Sequence, residues 1–424
     1  MFHKIRQQSF IQGSFWLAAA IVGSIAVVYA RLITGTLNDY FRLFQEHPYL
    51  MSIATPFLFV LATFLVVKFA PEAKGSGIPQ VLMAISQNKH RQVEPGENSL
   101  VSIKTALIKI ISSLVGFIAG ASIGREGPTV QISASIFTWV SHRIKNKTLQ
   151  VDPQSYLIAG GAAGVAAAFN TPLAGVTFAL EEIAEGAFSK FKRPVMFSII
   201  FAGITAQAFV GDYLYFGHPA IFKPTLSVIP EALLIGSICG IVGGLFARTL
   251  AQKDFQFKAV HWSVRALVCG VICSLIAFFS NGESAGSGYE VVKKFMDQDQ
   301  GQISMIFGVE KFFSTIFSYF SGMAGGIFSP SLSIGAGVGY SLASLLGFIN
   351  LKTCTLIGMV AFFSGVVQSP LTAVIIVMEM TDEHTLIIPF MIAAVVAQMI
   401  GKLFMPTPLY HYLAFGEKTK EPAH

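Results

Sequence analysis

Long apolar runs with few charged residues recur along the whole 424-residue chain. Only 12% of the residues are charged and 53% are hydrophobic, whereas soluble domains carry about 25% charged residues. A run of about 20 apolar residues can cross a bilayer as a helix, and shorter runs broken by Gly or Pro indicate tilted or half-crossing helices. The sequence therefore predicts an all-α polytopic membrane protein. The candidate spans are 14–30, 51–67, 105–123, 155–180, 195–210, 226–247, 266–280, 312–328, 331–350, 353–378 and 385–401.

Basic residues lie in small clusters in the short connections between these runs. Scattered clusters of this kind are typical of the cytoplasmic ends of membrane spans and not of a nucleic-acid surface. Lys4 and Arg6 precede the first run, which favours a retained first helix with a cytoplasmic N-terminus over a cleaved signal peptide. We expect no nucleic-acid partner and place both termini in the cytoplasm. The other clusters are Arg143, Lys145 and Lys147, and Lys190, Lys192 and Arg193.

All the cysteines lie in apolar surroundings. Cys269 and Cys273 would share one helix face, but no histidine or carboxylate stands near them to complete a metal site. We therefore predict buried cysteines and no metal. The set is Cys239, Cys269, Cys273 and Cys354.

The two halves of the chain are weakly alike. In the first half, "GSGIPQ" at 75–80 is followed by "GREGP" at 124–128; in the second, "GSGYE" at 286–290 is followed by "GGIFSP" at 325–330. Repeated halves with paired Gly/Pro interruptions indicate the central binding site of a transporter. We predict one membrane domain made of two half-repeats. Their predicted bounds are 1–222 and 223–424.

An Arg-Glu pair lies between glycines inside an otherwise uncharged region. Arg125 and Glu126 are flanked by 110–124 and 127–141, which contain no charged residue. Irregular backbone at this depth is tolerated only where protein or water satisfies its polar groups. A helix beginning near Gly127 would leave the preceding amides unbonded, at the positive end of the helix dipole. This arrangement predicts an anion site.

The carboxylate of Glu126 could itself occupy such a site. Once protonated it would lose its attraction for the amides, and a dissolved anion could replace it. One residue would thereby couple a proton to an anion, and an ionisable residue inside the membrane favours a functional role. The alternative is that Arg125 and Glu126 only neutralise each other as a buried pair.

Further chain breaks offer weak anion donors. "GGIFSP" presents the amides of Ile327 and Phe328, "KGSGIPQ" adds the hydroxyl of Ser76, and "MPTPLYHYL" adds that of Tyr410. Several weak donors admit and release an ion more readily than one buried cation would. For Tyr410, anchoring at the membrane interface is an equally good interpretation.

A second group of carboxylates follows the uncharged stretch 157–180. Glu181, Glu182 and Glu185 lie close together, and neighbouring helical residues point about 100° apart. Glu182 could therefore face inward and relay a proton while Glu181 pairs elsewhere. A helix-end cluster at the membrane surface is the alternative.

These motifs resemble the anion-coordinating segments of the CLC chloride channel and transporter family. The resemblance extends over nearly the whole chain, in the expected order. The segments that carry it are "GSGIPQ" (75–80), "GREGPTVQ" (124–131), "AAAFNTPLAGVTFALEE" (166–182), "GGIFSP" (325–330), "MEMTD" (378–382) and "PLY" (408–410).

The resemblance implies a homodimer whose subunits each have a pathway, and an inverted-repeat fold. It implies Glu126 as the external gating glutamate and Glu182 as the internal proton-transfer glutamate, with chloride and protons as transported ions and no cofactor. The implied chloride-binding residues are the hydroxyls of Ser76 and Tyr410, the amides of Ile327 and Phe328, and the neighbouring Gly75, Gly77, Arg125, Gly127 and Gly326.

Some positions depart from the family pattern. Gln80 stands where many relatives have Glu, and Ser133 where Gly is common. Neither contacts the anion in the family pattern. No pair of CBS domains follows Tyr410, as in the compact prokaryotic members, so we expect a multi-pass protein of a prokaryotic inner membrane.

The leading hypothesis is a chloride/proton antiporter and not an enzyme. A passive chloride channel on the same scaffold is the alternative. A remote one is an intramembrane serine hydrolase, because "GASIG" (120–124) and "GESAG" (282–286) fit G-x-S-x-G. That pattern requires a strand–turn–helix and a histidine–acid pair, and no persuasive histidine partner is visible.

Overall fold

The computed structural model describes residues 2–89, 98–144, 153–183, 193–211, 216–217, 219, 228–252, 260–296, 304–348 and 350–416. Within these ranges the chain is mainly helical, and β-type pairing is limited to isolated bridges. The first-half helices are α1 (Phe2–Glu46), α2 (Pro48–Phe69), α3 (Ile78–Lys89), α4 (Ile103–Ile118), α5 (Glu126–Ile144), α6 (Pro153–Phe169), α7 (Pro172–Phe178) and α8 (Arg193–Val210). Those of the second half are α9 (Val228–Ala251), α10 (Trp262–Phe279), α11 (Tyr289–Met296), α12 (Phe307–Ser321), α13 (Phe328–Leu346), α14 (Leu351–Val367), α15 (Pro370–Thr381), α16 (Ile387–Phe404) and α17 (Leu409–Phe415).

Six helical segments in the described residues are long and apolar enough to cross a membrane. They contain α1, α2, α8, α9, α10 and α16. Their outer faces carry large apolar side chains, for example Phe57 on α2, Leu275 on α10 and Leu403 on α16. In water such faces would be costly, and in lipid they are compatible with the solvent. The multi-pass membrane class is therefore confirmed.

Two of the candidate spans are each made of two helices. The 155–180 run divides into α6 and α7, and the 353–378 run divides into α14 and α15. The turns contain Asn170 and Gln368, whose φ values are 59° and 65°. Proline then begins the next helix at position 172 or 370, where its missing N–H costs nothing. The breaks are short and flanked by apolar residues, so hydropathy alone does not resolve them.

Matching features in the two halves support the internal repeat. Gly75 and Gly77 have φ values of 64° and 106°, and Gly286 and Gly288 have values of 62° and 84°. Both Gly-Ser-Gly turns therefore use left-handed backbone at the same two positions, which favours glycine. The proposed boundary at 222 lies outside the described residues.

Two fully buried lysines repeat in the same way. The Lys109 ammonium on α4 donates to the Ala73 carbonyl at 2.9 Å, just before the first Gly-Ser-Gly turn. The Lys311 ammonium on α12 donates to the carbonyls of residues 284, 285 and 286 at 2.9, 3.0 and 2.7 Å, at the second turn. Each lysine therefore ties a turn to a helix of its own half.

The halves meet through equivalent residues. Gly124 N–H donates to the Gly326 carbonyl at 2.7 Å, and Gly326 N–H donates to the Gly124 carbonyl at 2.8 Å. Each glycine lies four residues before a proline, Pro128 or Pro330. A reciprocal pair between equivalent residues is the contact expected where a two-fold axis relates two repeats.

Glutamates make a second reciprocal contact between the halves. Glu379, near the end of α15, accepts from the first amides of α7 at 3.1 and 2.7 Å. Glu181, in the π-helical turn that follows α7, accepts from the first amides of α15 at 3.1 and 2.7 Å. A carboxylate at a helix N-terminus satisfies unbonded amides and complements the helix dipole. Each half thus caps a helix of the other.

Candidate functional site

The starts of three helices converge at the contact between the halves. α3, α5 and α13 each begin at a Gly-rich break, with Pro79, Pro128 or Pro330 in the first turn. Proline suits this position because its fixed φ matches a helix and its absent N–H would be unbonded there. The predicted start of α5 near Gly127 is therefore accurate to one residue. Backbone bridges at Gly75 and Gly124 connect all three starts.

Glycine at position 127 permits a very close approach of α5 to the Ser76 turn. A methyl group at this position would lie 2.3 Å from Ser76 Oγ and 2.7 Å from the Ser76 carbonyl oxygen. Gly77 is equally confined, because a methyl group there would lie 2.8 Å from the Gly127 carbonyl oxygen. The glycines predicted to line the site therefore bring the helix starts together.

Glu126 is completely buried at the first residue of α5. Its carboxylate Oε2 accepts from the Ser329 amide in the first turn of α13, at 3.4 Å. The Arg125 Nε lies 3.9 Å from Glu126 Oε1, and the guanidinium also donates to the Ala168 carbonyl at 3.2 Å. The ion pair is therefore long, and the carboxylate lies against the amides of the opposite half.

The hydroxyls of Ser76 and Tyr410 are buried beside each other. Ser76 is 2% exposed and Tyr410 is 0% exposed. The Tyr410 hydroxyl interacts with Ser76, and Tyr410 also lies near Glu126 and Glu182. Within the described residues, neither hydroxyl oxygen has a partner at ordinary hydrogen-bond geometry. Burial excludes anchoring of Tyr410 at the membrane interface. The two buried hydroxyls instead form a cradle that suits an anion.

Ile327 and Phe328 supply backbone amides at the start of α13. Ile327 precedes α13 and Phe328 is its first residue, where helix amides have no partner within the helix. The Phe328 ring packs against those of Phe169 and Phe363, with centroids 5.1 and 4.2 Å away. These contacts fix the start of α13. Gly326, just before it, is held by its paired bonds to Gly124.

Glu182 is buried near Tyr410, in the π-helical turn Ala179–Ile183. Its Oε2 accepts from the Ser369 hydroxyl at 2.9 Å, and its carbonyl lies 3.2 Å from His411 Nε2. Glu181 points elsewhere and caps α15. The adjacent acids therefore diverge as predicted, and a surface cluster is excluded for Glu182. Glu185 lies outside the described residues.

Sequence reasoning missed three residues at this site: Ser329, Ser369 and His411. A signal for Ser369 was present, because Ser369-Pro370-Leu371 repeats the pattern of 171–173 in the first half. Both tripeptides are followed by glutamate after seven residues, at the two capping positions already described. Aligning them would have placed Ser369 near the other half's acids.

The cysteines and the serines of the two G-x-S-x-G motifs are buried in the protein interior. All the cysteines are buried, as predicted. The Ser122 hydroxyl is 2.8 Å from the Thr315 hydroxyl, and the Ser284 hydroxyl is 2.9 Å from that of Ser280. Within the described ranges neither serine is hydrogen-bonded to a histidine, so no nucleophile–base pair forms there.

This chain is similar in sequence to known ion-transport proteins. A family model described as voltage gated chloride channel matches residues 58–402. The H(+)/Cl(-) exchange transporter ClcA of Vibrio cholerae serotype O1 is 30% identical, and the match covers 94% of this chain and 86% of that protein. ClcA of Citrobacter koseri is 27% identical, with 96% and 89% covered.

Solved structures share the fold. A slow cyanobacterial Cl-/H+ antiporter superposes with a TM-score of 0.82 at 23% identity, covering 96% of this chain and 97% of that one. A CLC-type fluoride/proton antiporter gives a TM-score of 0.76 at 22% identity, covering 92% and 96%. These matches confirm the predicted fold class and the resemblance. The chain belongs to the voltage gated chloride channel family, the CLC proteins.

Proposed function

We propose that this protein exchanges chloride for protons across a membrane. The observation that carries the proposal is the position of the Glu126 carboxylate, which accepts from the Ser329 amide in the first turn of α13 and lies near the Tyr410 hydroxyl. Similar proteins named as H(+)/Cl(-) exchange transporters support the same ions. The family consists of transporters and not enzymes, so the hydrolase hypothesis is unsupported.

Glu126 acts as the external gate in this proposal. Its charged carboxylate competes with chloride for the helix amides, which favour any anion. Protonation removes that charge and releases the side chain, so chloride can replace it. Transfer of an ion from water into an apolar medium costs tens of kcal/mol in the ideal case. The amides of Ile327 and Phe328 and the hydroxyls of Ser76 and Tyr410 would offset this cost.

Glu182 acts as the internal proton relay. It is buried near Tyr410, which also lies near Glu126, so a proton that leaves Glu126 would find a second carboxylate close to the same tyrosine. Because Glu182 belongs to a π-helical turn, its position is set by local backbone geometry of a kind that is common at functional sites.

Purified protein in liposomes tests the exchange. An imposed chloride gradient should drive protons in the opposite direction, measured with a chloride electrode and a pH electrode. We expect Glu126→Gln to stop proton movement while chloride still passes, because the amide side chain carries no proton to transfer. Glu182→Gln should suppress proton movement for the same reason.

Asp39→Asn is the matched control, since Asp39 forms a solvent-exposed ion pair with Arg42 on α1. Normal proton pumping by Glu182→Gln would contradict its relay role. Chloride flux without proton movement in the unmodified protein would leave only the passive channel.

We further propose that the protein is a homodimer in a prokaryotic inner membrane, with both termini in the cytoplasm. Exposed apolar side chains on α7, α15 and α16, such as Leu173, Leu371 and Met399, form a face suited to a second copy. Mass spectrometry of the protein released from detergent should show twice the monomer mass; a monomer alone would contradict this proposal.

A further inference from the structure

Ser369 and Glu182 form a buried contact between the two halves. The Ser369 hydroxyl donates to Glu182 Oε2 at 2.9 Å, and the residues are 2% and 1% exposed. A hydrogen bond to an ionised group is stronger and more directional than one between neutral groups. Ser369 is thus placed to determine where this carboxylate points.

The Ser369 hydroxyl is available because another residue caps its helix. Ser369 is the N-cap residue of α15 but makes no side-chain cap, although serine at this position commonly accepts from the first helical amides. Those amides, from Leu371 and Thr372, donate to Glu181 instead. Glu181 therefore caps α15, and Glu182 accepts the hydrogen bond from the Ser369 hydroxyl.

The equivalent position in the first half has the cap but not the second contact. Thr171 is the N-cap residue of α7, and Glu379 caps that helix. The residue after Glu379 is Met380, which offers no carboxylate, and Thr171 Oγ1 has no hydrogen-bond partner in the part of the chain that the structure describes. Packing of the repeat therefore does not require a hydroxyl–carboxylate contact. The hydroxyl–carboxylate contact instead occurs at the position that has a buried acid, Glu182.

A histidine fixes the backbone of the same residue. His411 Nε2 lies 3.2 Å from the Glu182 carbonyl, and a carbonyl only accepts, so Nε2 carries the proton. Glu182 is thus held through its main chain from α17 and through its side chain from α15. The titratable groups beside it are Glu181, Tyr410 and His411.

We infer that Ser369 is a positioning residue for proton transfer, which orients the Glu182 carboxylate for exchange with the interior. This inference rests on the proposed function, because it assumes that Glu182 relays protons. Ser369 itself neither carries a proton across nor contacts the anion. Its removal should therefore affect proton flux and leave chloride flux nearly unchanged.

Ser369→Ala in liposomes tests the inference. We expect proton flux to fall about tenfold, the scale of losing a hydrogen bond to an ionised group, while chloride flux stays within about twofold of the unmodified protein. Ser369→Thr keeps the hydroxyl and should restore most of the proton flux. Ser364→Ala is the matched control, because the buried Ser364 donates to the Ala394 carbonyl and should leave both fluxes unchanged.

A double variant distinguishes the positioning role of Ser369 from the relay role of Glu182. If Ser369 acts through Glu182, adding Ser369→Ala to Glu182→Gln should change neither flux further. Normal proton flux in Ser369→Ala, alongside its loss in Glu182→Gln, would overturn this inference alone. Normal proton flux in Glu182→Gln would overturn the relay itself. Equal loss of chloride and proton flux in both Ser369 variants would identify a purely structural role and also overturn the inference.

Discussion

At the scale of single residues, burial separates Ser76 and Tyr410 from ordinary polar side chains. Buried hydroxyls usually have a partner, and an unpaired one costs about 1–3 kcal/mol. Among the described residues these two have no partner at ordinary geometry, and Tyr410 lies near Ser76, Glu126 and Glu182. An anion between the two hydroxyls would accept a hydrogen bond from each. Anion binding would therefore offset the free energy that these buried hydroxyls cost the folded protein.

Removal of the Tyr410 hydroxyl should weaken chloride binding. We expect Tyr410→Phe to raise the chloride Kd several-fold, since one neutral hydrogen bond contributes about 1 kcal/mol. Isothermal titration of chloride into detergent-solubilised protein measures this. Tyr412→Phe, on the same short helix but only partly buried, is the control. An unchanged Kd in Tyr410→Phe would exclude the hydroxyl as a ligand.

Gly127 should not tolerate a side chain. The methyl group of Gly127→Ala would lie 2.3 Å from Ser76 Oγ and 2.7 Å from the Ser76 carbonyl, so α3 and α5 would have to separate. We expect chloride transport to fall at least tenfold. Gly13→Ala on α1, where no atom lies within 4 Å, should behave normally. Full activity of Gly127→Ala would show that this contact can relax.

At the scale of the elements, α7 and α15 depend on each other's acids. Each is a short helix that begins with proline after a turn, and each has its first amides satisfied by a glutamate from the opposite half. Short helices have little stability of their own. The two caps therefore determine how these helices dock, and through Glu181 they also determine where Glu182 lies.

Loss of one cap should destabilise the protein modestly. Glu379→Gln removes the charge that complements the α7 dipole, and we expect the free energy of unfolding to fall by about 1 kcal/mol. Thermal unfolding followed by tryptophan fluorescence would show a lower midpoint. Asp39→Asn serves as the control because its ion pair with Arg42 is solvent-exposed and contributes little. No shift in Glu379→Gln would indicate that its bonds to α7 contribute nothing measurable.

Sequence patterns predicted the helices well but not their partners. The apolar runs located the membrane-spanning helices, and Pro128 located the start of α5 to within one residue. The turns at Asn170 and Gln368 were hidden because two-residue breaks barely change the hydropathy of a long window. The contact of Ser369 with Glu182 spans 187 positions, and no local pattern specifies which distant helix supplies a hydroxyl.

At the scale of the whole molecule, the internal repeat creates the site. The reciprocal bonds of Gly124 and Gly326 bring the start of α5 next to the start of α13. Their positive dipole ends therefore meet in the interior, where neither half alone would concentrate enough donors for an anion. The two positions that follow by symmetry, Glu126 and Phe328, differ in charge. The two repeats thus together provide the anion donors. Because the halves differ at this position, only the first half provides a carboxylate, that of Glu126, which competes with the anion.

The exchanged glutamate caps have a consequence for biogenesis. The ribosome synthesises the first half of the chain before the second half. During that interval α7 lacks the carboxylate of Glu379, and Gly124 lacks its partner. The nascent first half is therefore in the translocon or the lipid before its central turns have made these hydrogen bonds. It is then most exposed to membrane proteases, and later arrival of the second half ends that vulnerability.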